Sequence, residues 1–249
     1  MRFVIWNCGG AFHKKLDVLT QLAPDIAIVP EACESSRLPD SFASSGTRTY
    51  EWIGNLPYKG LGVIAFAPFE LELACPPENN LEWVIPLRVR GPVNFNLIAV
   101  WAMNHRASAK ARGPNRNGPI KGALNTYSHL FEEGPVVVAG DFNDSAIWDK
   151  PNGARPFGTN VELLKQLGLV SGYHQIRDES FGSESEPTIY WRDRTIDGPQ
   201  YHIDYCFVPE GWIPNATVKI ESFDKWVAPK HSDHVPLVID FADPISPPA

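Results

Sequence analysis

The sequence has little of what several protein classes require. Its 249 residues include only 4 cysteines, which are widely spaced and form no C-x-x-C pair. A zinc site built from cysteines is therefore not expected, and free thiols indicate a reducing compartment. The longest apolar run, from Leu97 to Met103, is far shorter than the roughly 20 residues that span a bilayer.

The start of the chain shows no targeting pattern. Only four strand-like residues lie between Met1-Arg2 and Asn7, whereas a signal peptide needs a longer apolar core and a small-residue cleavage site. We therefore expect a soluble cytoplasmic protein without a membrane partner. The sequence says nothing about oligomeric state, so we take a monomer as the default.

The composition is that of an ordinary globular protein. A hydrophobic fraction of 43% and a charged fraction of 20% exclude a disordered chain and a coiled coil. No internal repeat or linker divides the chain, which predicts one domain over residues 1–242 and a proline-rich tail over residues 243–249. The 22 basic against 29 acidic residues give a net charge of −7, which at first argues against a nucleic-acid partner.

Apolar periodicity predicts more strands than helices, by about two to one. Helices are expected at residues 12–22, 120–131 and 161–167, and Tyr173-His174 is expected in a loop. Strands are expected at residues 2–6, 25–29, 61–66, 71–74, 83–89, 94–101, 136–139, 189–191, 202–208, 217–221 and 235–241. Because strands and helices do not alternate regularly, two packed sheets with helices outside fit better than a doubly wound parallel sheet.

Five of these segments place polar residues at or beside a strand. They are Trp6-Asn7, Pro30-Glu31, Gly140-Asp141-Phe142-Asn143, Ile203-Asp204-Tyr205 and Ser232-Asp233-His234. Each alone is more often a turn or a paired structural residue. Together, at the rigid ends of strands, they predict a site rich in oxygen ligands, which suits Mg²⁺ or Mn²⁺ rather than zinc.

The same ordered set resembles the endonuclease/exonuclease/phosphatase superfamily, with its exonuclease III-like and DNase I-like nucleases, over residues 2 to about 240. The most specific features are G-D-F-N and, some ninety residues later, S-D-H. The resemblance implies an α/β (α+β) fold: a four-layered sandwich of two mixed β-sheets flanked by helices, DNase I-like.

The resemblance also implies residue roles. Glu31 would bind the divalent metal with Asn7 beside it, and Asp233 would lie near it as a further ligand. Asp141 and Asn143 would hold the attacking water, and Asp204 would orient His234 toward the scissile phosphate. Whether the general base is the aspartate or the histidine stays open.

Two further features bear on the resemblance. Abasic endonucleases often carry an acid at the position of Gly9, so that subgroup is less favoured. The strand that ends at Val100-Trp101-Ala102-Met103 leads to Asn104 and His105, where the family places residues near the phosphate, and both are candidates. Trp101 is expected to be core or pocket wall.

The stretch from His105 to Gly122 changes the charge argument. It holds five basic residues and no acid, and its glycines and prolines indicate a loop that follows the expected site strand. Such residues supply much of the affinity for phosphates, although most charged loops are simply solvated. The candidate substrate-binding residues are Arg106, Lys110, Arg112, Arg116 and Lys121.

The sequence thus predicts a Mg²⁺- or Mn²⁺-dependent phosphodiester hydrolase, a nuclease acting on DNA. Two alternatives stay open: a phosphatase or phosphodiesterase for a small soluble or lipid phosphoester, and an inactive binding protein on the same fold. Thr188, Tyr190 and Trp191 are weaker candidates for a pocket or for base stacking.

Overall fold

The computed structural model describes residues 1–43, 48–78, 81–102, 119–150 and 157–242. Its strands are β1 (Arg2–Ile5), β2 (Ile26–Ala32), β3 (Arg48–Leu56), β4 (Lys59–Phe66), β5 (Glu70–Leu73), β6 (Val84–Arg90), β7 (Phe95–Trp101), β8 (Val136–Asp141), β9 (Leu169–Ser171), β10 (Ile189–Tyr190), β11 (Gln200–Tyr201), β12 (Asp204–Pro209), β13 (Thr217–Ile220) and β14 (Leu237–Asp240).

The α-helices are short. They are α1 (Leu16–Thr20), α2 (Asp40–Ala43), α3 (Pro119–Thr126), α4 (Leu130–Glu133), α5 (Phe157–Gln166), α6 (Gly172–Arg177) and α7 (Phe223–Trp226). Single 3₁₀ turns cover Phe12–Lys14, Ser35–Arg37, Ala146–Trp148 and Glu210–Trp212. None of the helices in the described ranges is both long and apolar enough to span a bilayer.

Two six-stranded mixed sheets form the body of the fold. The first has the order β13-β14-β1-β2-β4-β3, and the second has the order β5-β6-β7-β8-β12-β9. In each sheet one central pair is parallel, β1 with β2 and β7 with β8, and the other neighbours are antiparallel. The fold class expected from the resemblance is confirmed.

The alternation of β7 shows how the layers are held together. Leu97, Ala99 and Trp101 belong to the core cluster that joins the two sheets. Ile98 and Val100 point the other way, into a second cluster with residues of α3 and α5. A strand with apolar residues on both faces is typical of a sheet that is covered on both sides.

Several local expectations differ from the structure. The helix expected over 12–22 is a 3₁₀ turn followed by the short α1. The helix expected over 120–131 is interrupted between α3 and α4, and the helix expected over 161–167 begins earlier, at Phe157. Strand β3 has no uniformly apolar run and did not stand out from the sequence. Tyr173 and His174 lie in α6 rather than in a loop, and both are buried.

The second sheet requires a glycine at position 140, in the G-D-F-N segment. The φ of Gly140 is +144°, and a Cβ added there would lie 1.8 Å from the carbonyl oxygen of Val100 on β7. Only glycine lets the two parallel strands approach this closely immediately before Asp141.

We therefore expect Gly140→Ala to lower the free energy of unfolding by about 3 kcal/mol or more, because β8 must shift away from β7. Gly211→Ala is the matched control, since a Cβ at that position meets no atom within 4 Å. Urea denaturation of both variants measures the difference. Equal stability of the two variants would contradict this view of Gly140.

Candidate active site

Asp141 and Asp204 meet because their strands are neighbours. Asp141 ends β8, Asp204 begins β12, and the two residues are direct partners in the antiparallel register. Both side chains are fully buried. The ligand atoms of Asp141, Asp204 and His234 all lie within 4.8 Å of one another, and we call these three residues the central cluster.

His234 is held in place from three directions. Its Nδ1 lies 2.8 Å from Asp204 Oδ2, its backbone N–H donates to Ser232 Oγ, and its carbonyl accepts from Trp6 Nε1. Ser232 Oγ in turn donates to the carbonyl of Asn7. With Nδ1 bound to Asp204, the ring presents Nε2 as the nitrogen that can contact another group.

Asp141 accepts hydrogen bonds from two asparagines. Asn7 Nδ2 donates to Asp141 Oδ2 over 2.9 Å, and Asn143 donates through both its backbone N–H and its Nδ2. Asn143 has a left-handed φ of 48°, which turns the chain back so that both groups reach the same carboxylate. Asp141 is therefore fixed in orientation by three donors.

The central cluster shifts the pKa values of two of its members, Asp141 and His234. Burial, together with the nearby Asp204 carboxylate, raises the pKa of Asp141 to about 7. Burial by itself would lower the pKa of His234, but the charges of Asp204 and Asp141 and the hydrogen bond to Asp204 raise it above its ordinary value. Perturbed groups of this kind in one cluster are typical of functional sites.

Thr188 supports the cluster from behind. Its fully buried Oγ1 accepts hydrogen bonds from the backbone N–H groups of Ile203 and Asp204, at 3.0 and 3.1 Å. The sequence suggested Thr188 as part of a pocket, but this contact shows that it positions the start of β12. Its neighbour Ile189 forms a β-bridge with His234, so the same segment touches both members of the Asp204–His234 pair.

Glu31 and Asp233 lie outside the central cluster and are paired with cations. Glu31 Oε2 is 3.1 Å from Lys59 Nζ, and Asp233 Oδ2 is 3.3 Å from Arg194. Lys15 Nζ donates to the carbonyl of Cys8, and burial lowers the pKa of this ammonium group while the charges of Glu31 and Asp233 oppose that shift. Lys59, Arg194 and Lys15 were not found from the sequence, because no motif surrounds them.

The absence of an acid at Gly9 has a structural reason. Gly9 has a left-handed φ of 62°, and a Cβ there would lie 3.2 Å from Ser232 Oγ and 3.7 Å from Asp233 Oδ1. A carboxylate at this position would crowd Ser232 and repel Asp233. The loop after Asn7 is instead closed by the Gly9 N–H, which donates to Asn7 Oδ1.

The other candidates fall into two groups. Lys121 lies in α3, and no hydrogen bond or ion pair in the part of the chain that the structure describes joins it to the site. Trp101 is 1% exposed and packs against Trp83, as expected for core. Outside the described residues lie Asn104, His105, Arg106, Lys110, Arg112 and Arg116.

We expect Thr188→Val to lower the free energy of unfolding by about 1–3 kcal/mol, because two buried N–H groups lose their acceptor. Thr188→Ser keeps the hydroxyl and is the matched control. Thermal unfolding of the two variants distinguishes the lost hydrogen bonds from lost packing. If the serine variant is as destabilised as the valine variant, the hydroxyl is not what holds β12.

No protein-family model and no curated protein sequence matches this chain. Among solved structures, it is similar to a 3'-5' exonuclease (NExo) from Neisseria meningitidis, with a TM-score of 0.69 and 18% identity over 97% of this chain and 99% of that one.

Two further structures show the same likeness. One is the 3' phosphatase NExo from Neisseria bound to a product DNA hairpin, with a TM-score of 0.66 and 19% identity over 97% of this chain and 99% of that one. The other is an AP endonuclease from Archaeoglobus fulgidus, with a TM-score of 0.69 and 16% identity over the same shares. The chain therefore shares its fold, the DNase I-like fold, with these structures.

Proposed function

We propose that this protein is a divalent-metal-dependent phosphodiester hydrolase, and specifically a nuclease that acts on DNA. The observation that carries the proposal is the central cluster, in which Asp141, Asp204 and His234 converge within 4.8 Å at the end of two neighbouring strands. Proteins with this fold include a 3'-5' exonuclease and an AP endonuclease, which supports the same reaction class.

The donor set fits a hard cation. Asp141 and Asp204 bring two buried carboxylates together, and Asp204 Oδ1 is a buried atom with no hydrogen-bond partner among the described residues. Two adjacent buried carboxylates are costly without a compensating positive charge. Oxygen ligands favour Mg²⁺ or Mn²⁺, and Glu31, Asn7 and Asp233 are the residues we propose to hold the ion.

When bound, the ion would neutralise phosphoryl oxygens and assist the leaving oxygen as a Lewis acid. The protein's own groups would do the rest. Asp141, oriented by Asn7 and Asn143, would accept a hydrogen bond from the attacking water and align it. His234, fixed by Asp204, would donate from Nε2 to a phosphoryl oxygen as negative charge develops there.

Nucleic acid is favoured over a small or lipid phosphoester by the aromatic residues beside the cluster. Trp148, Tyr201 and Trp191 form a continuous series of ring contacts, at 5.0 and 6.3 Å between centroids, and Trp191 is 43% exposed. Arg192 lies over the face of Trp191. An exposed tryptophan such as Trp191 can stack on a base of any sequence.

Several attributes stay predictions from the sequence. They are the cytoplasmic location, the monomeric state, the single domain over residues 1–242 and the substrate contacts of the basic residues between 105 and 122. The proposal does not depend on any of them.

The test is a substrate panel with the purified protein. Plasmid, abasic duplex, single-stranded DNA, RNA and a set of small phosphoesters are incubated with Mg²⁺, with Mn²⁺ and with a chelator. We expect metal-dependent cleavage of DNA that falls by about 10²-fold or more in Asp141→Asn and His234→Ala, because water alignment or charge stabilisation is lost.

The exposed residues Asp17 and His129 provide matched controls, so Asp17→Asn and His129→Ala should retain full activity. Cleavage that survives both site substitutions would contradict the site assignment. Turnover of small phosphoesters without cleavage of any nucleic acid would favour the phosphatase alternative. Inactivity with every metal and substrate would favour a binding protein.

A further inference from the structure

Glu31 occupies a distorted position in its strand. It has a left-handed φ of 62°, and the register between β2 and β4 shifts at this point, between Pro30 and Ala32. A non-glycine residue in this conformation is uncommon and costs free energy, and it occurs at turns, bulges and functional sites. The bulge takes Glu31 out of the regular alternation of β2, beside the first residue of β4.

Lys59, the first residue of β4, contacts Glu31 and the core of the second sheet. Its Nζ lies 3.1 Å from Glu31 Oε2 and 5.3 Å from the centre of the Trp101 ring. Trp101 is the register partner of Asp141 in the parallel β7–β8 pair. The ammonium group is therefore held at the same end of the strands as the central cluster.

The Lys59–Glu31 ion pair is partly exposed. The Lys59 side chain is 40% exposed and that of Glu31 is 23% exposed, so the pair itself contributes little to stability. A lysine has a long, flexible stem and a compact charge, so it can leave one partner and reach another without backbone movement. Exposure on one side leaves room for such a movement.

The ammonium and a divalent cation would compete for the same carboxylate. Glu31 Oε2 is already paired with the Lys59 ammonium. A metal ion bound to that oxygen would repel the ammonium at close range. Once displaced, Lys59 would carry an unpaired positive charge at the edge of a site that receives a phosphodiester. A phosphate oxygen is the natural new partner for that charge.

We propose that Lys59 is the counter-ion of Glu31, that a divalent cation competes with it for this carboxylate, and that the displaced ammonium binds a substrate phosphate. The inference rests on the proposed function, since it assigns a substrate-binding residue to the same site. It makes two separate demands: Lys59 weakens metal binding, and it strengthens binding of the nucleic acid.

The first demand is tested without substrate. Mn²⁺ is titrated into the wild-type protein, Lys59→Met and Lys59→Arg by isothermal titration calorimetry. Methionine keeps most of the stem but removes the charge, so we expect Lys59→Met to bind Mn²⁺ about two- to fivefold more tightly, the range of a partly exposed ion pair. Lys59→Arg keeps the charge and should stay close to the wild type.

Lys219→Met is the matched control, because Lys219 of β13 pairs with Glu221 and contacts none of the site residues in the described part of the chain. It should leave Mn²⁺ affinity unchanged. If Lys59→Met also leaves the affinity unchanged while the wild type binds Mn²⁺, the inference is wrong and the proposed function stands. A wild-type protein that binds no divalent cation would overturn both.

The second demand is tested with a labelled single-stranded oligonucleotide. In a His234→Ala background with Mn²⁺, fluorescence anisotropy gives the oligonucleotide Kd at several salt concentrations. Adding Lys59→Met should weaken binding and reduce the slope of log Kd against log salt by about one, as expected for one lost phosphate contact. An unchanged Kd and slope would show that Lys59 is a counter-ion only and would overturn the substrate contact.

Discussion

The structure depends on two carboxylates, those of Asp141 and Asp204, that lie side by side where water cannot screen their charges. Asp141 and Asp204 are direct partners across β8 and β12, and neither is exposed. Burial, and after it the nearby Asp204 carboxylate, raises the pKa of Asp141, so a positive charge beside the pair would stabilise it. The His234 ring supplies part of that charge, and a divalent cation would supply the rest.

Several features away from the chemistry follow from that constraint. Gly140 lets β7 approach β8 closely, directly before Asp141. Thr188 fixes the start of β12, and Ser232 links the backbone of His234 to that of Asn7. These contacts with the two stable sheets fix the orientation of a few side chains. Preorganised catalysis would require such fixed side chains.

The central cluster could be predicted from the sequence because its members stand at or beside the ends of strands. Asp141, Asp204 and His234 each stand in a short motif next to an apolar segment, and the two sheets bring those ends together. Lys59 and Arg194 could not be predicted, because each is distant in sequence from the acid that it pairs with and only folding brings the two together. The edge strand β3 was missed for a similar reason: it is only partly buried, so it lacks a strong apolar pattern.

The central claim is that Glu31, with Asn7 and Asp233, holds a divalent cation beside the buried pair of Asp141 and Asp204. Thermal unfolding with and without Mg²⁺ or Mn²⁺ tests it most directly, because an ion that binds only the folded state raises the Tm. We predict a rise for the wild type and a much smaller one for Glu31→Gln and Asp141→Asn. The same rise in all three proteins, or no rise in the wild type, would contradict the account.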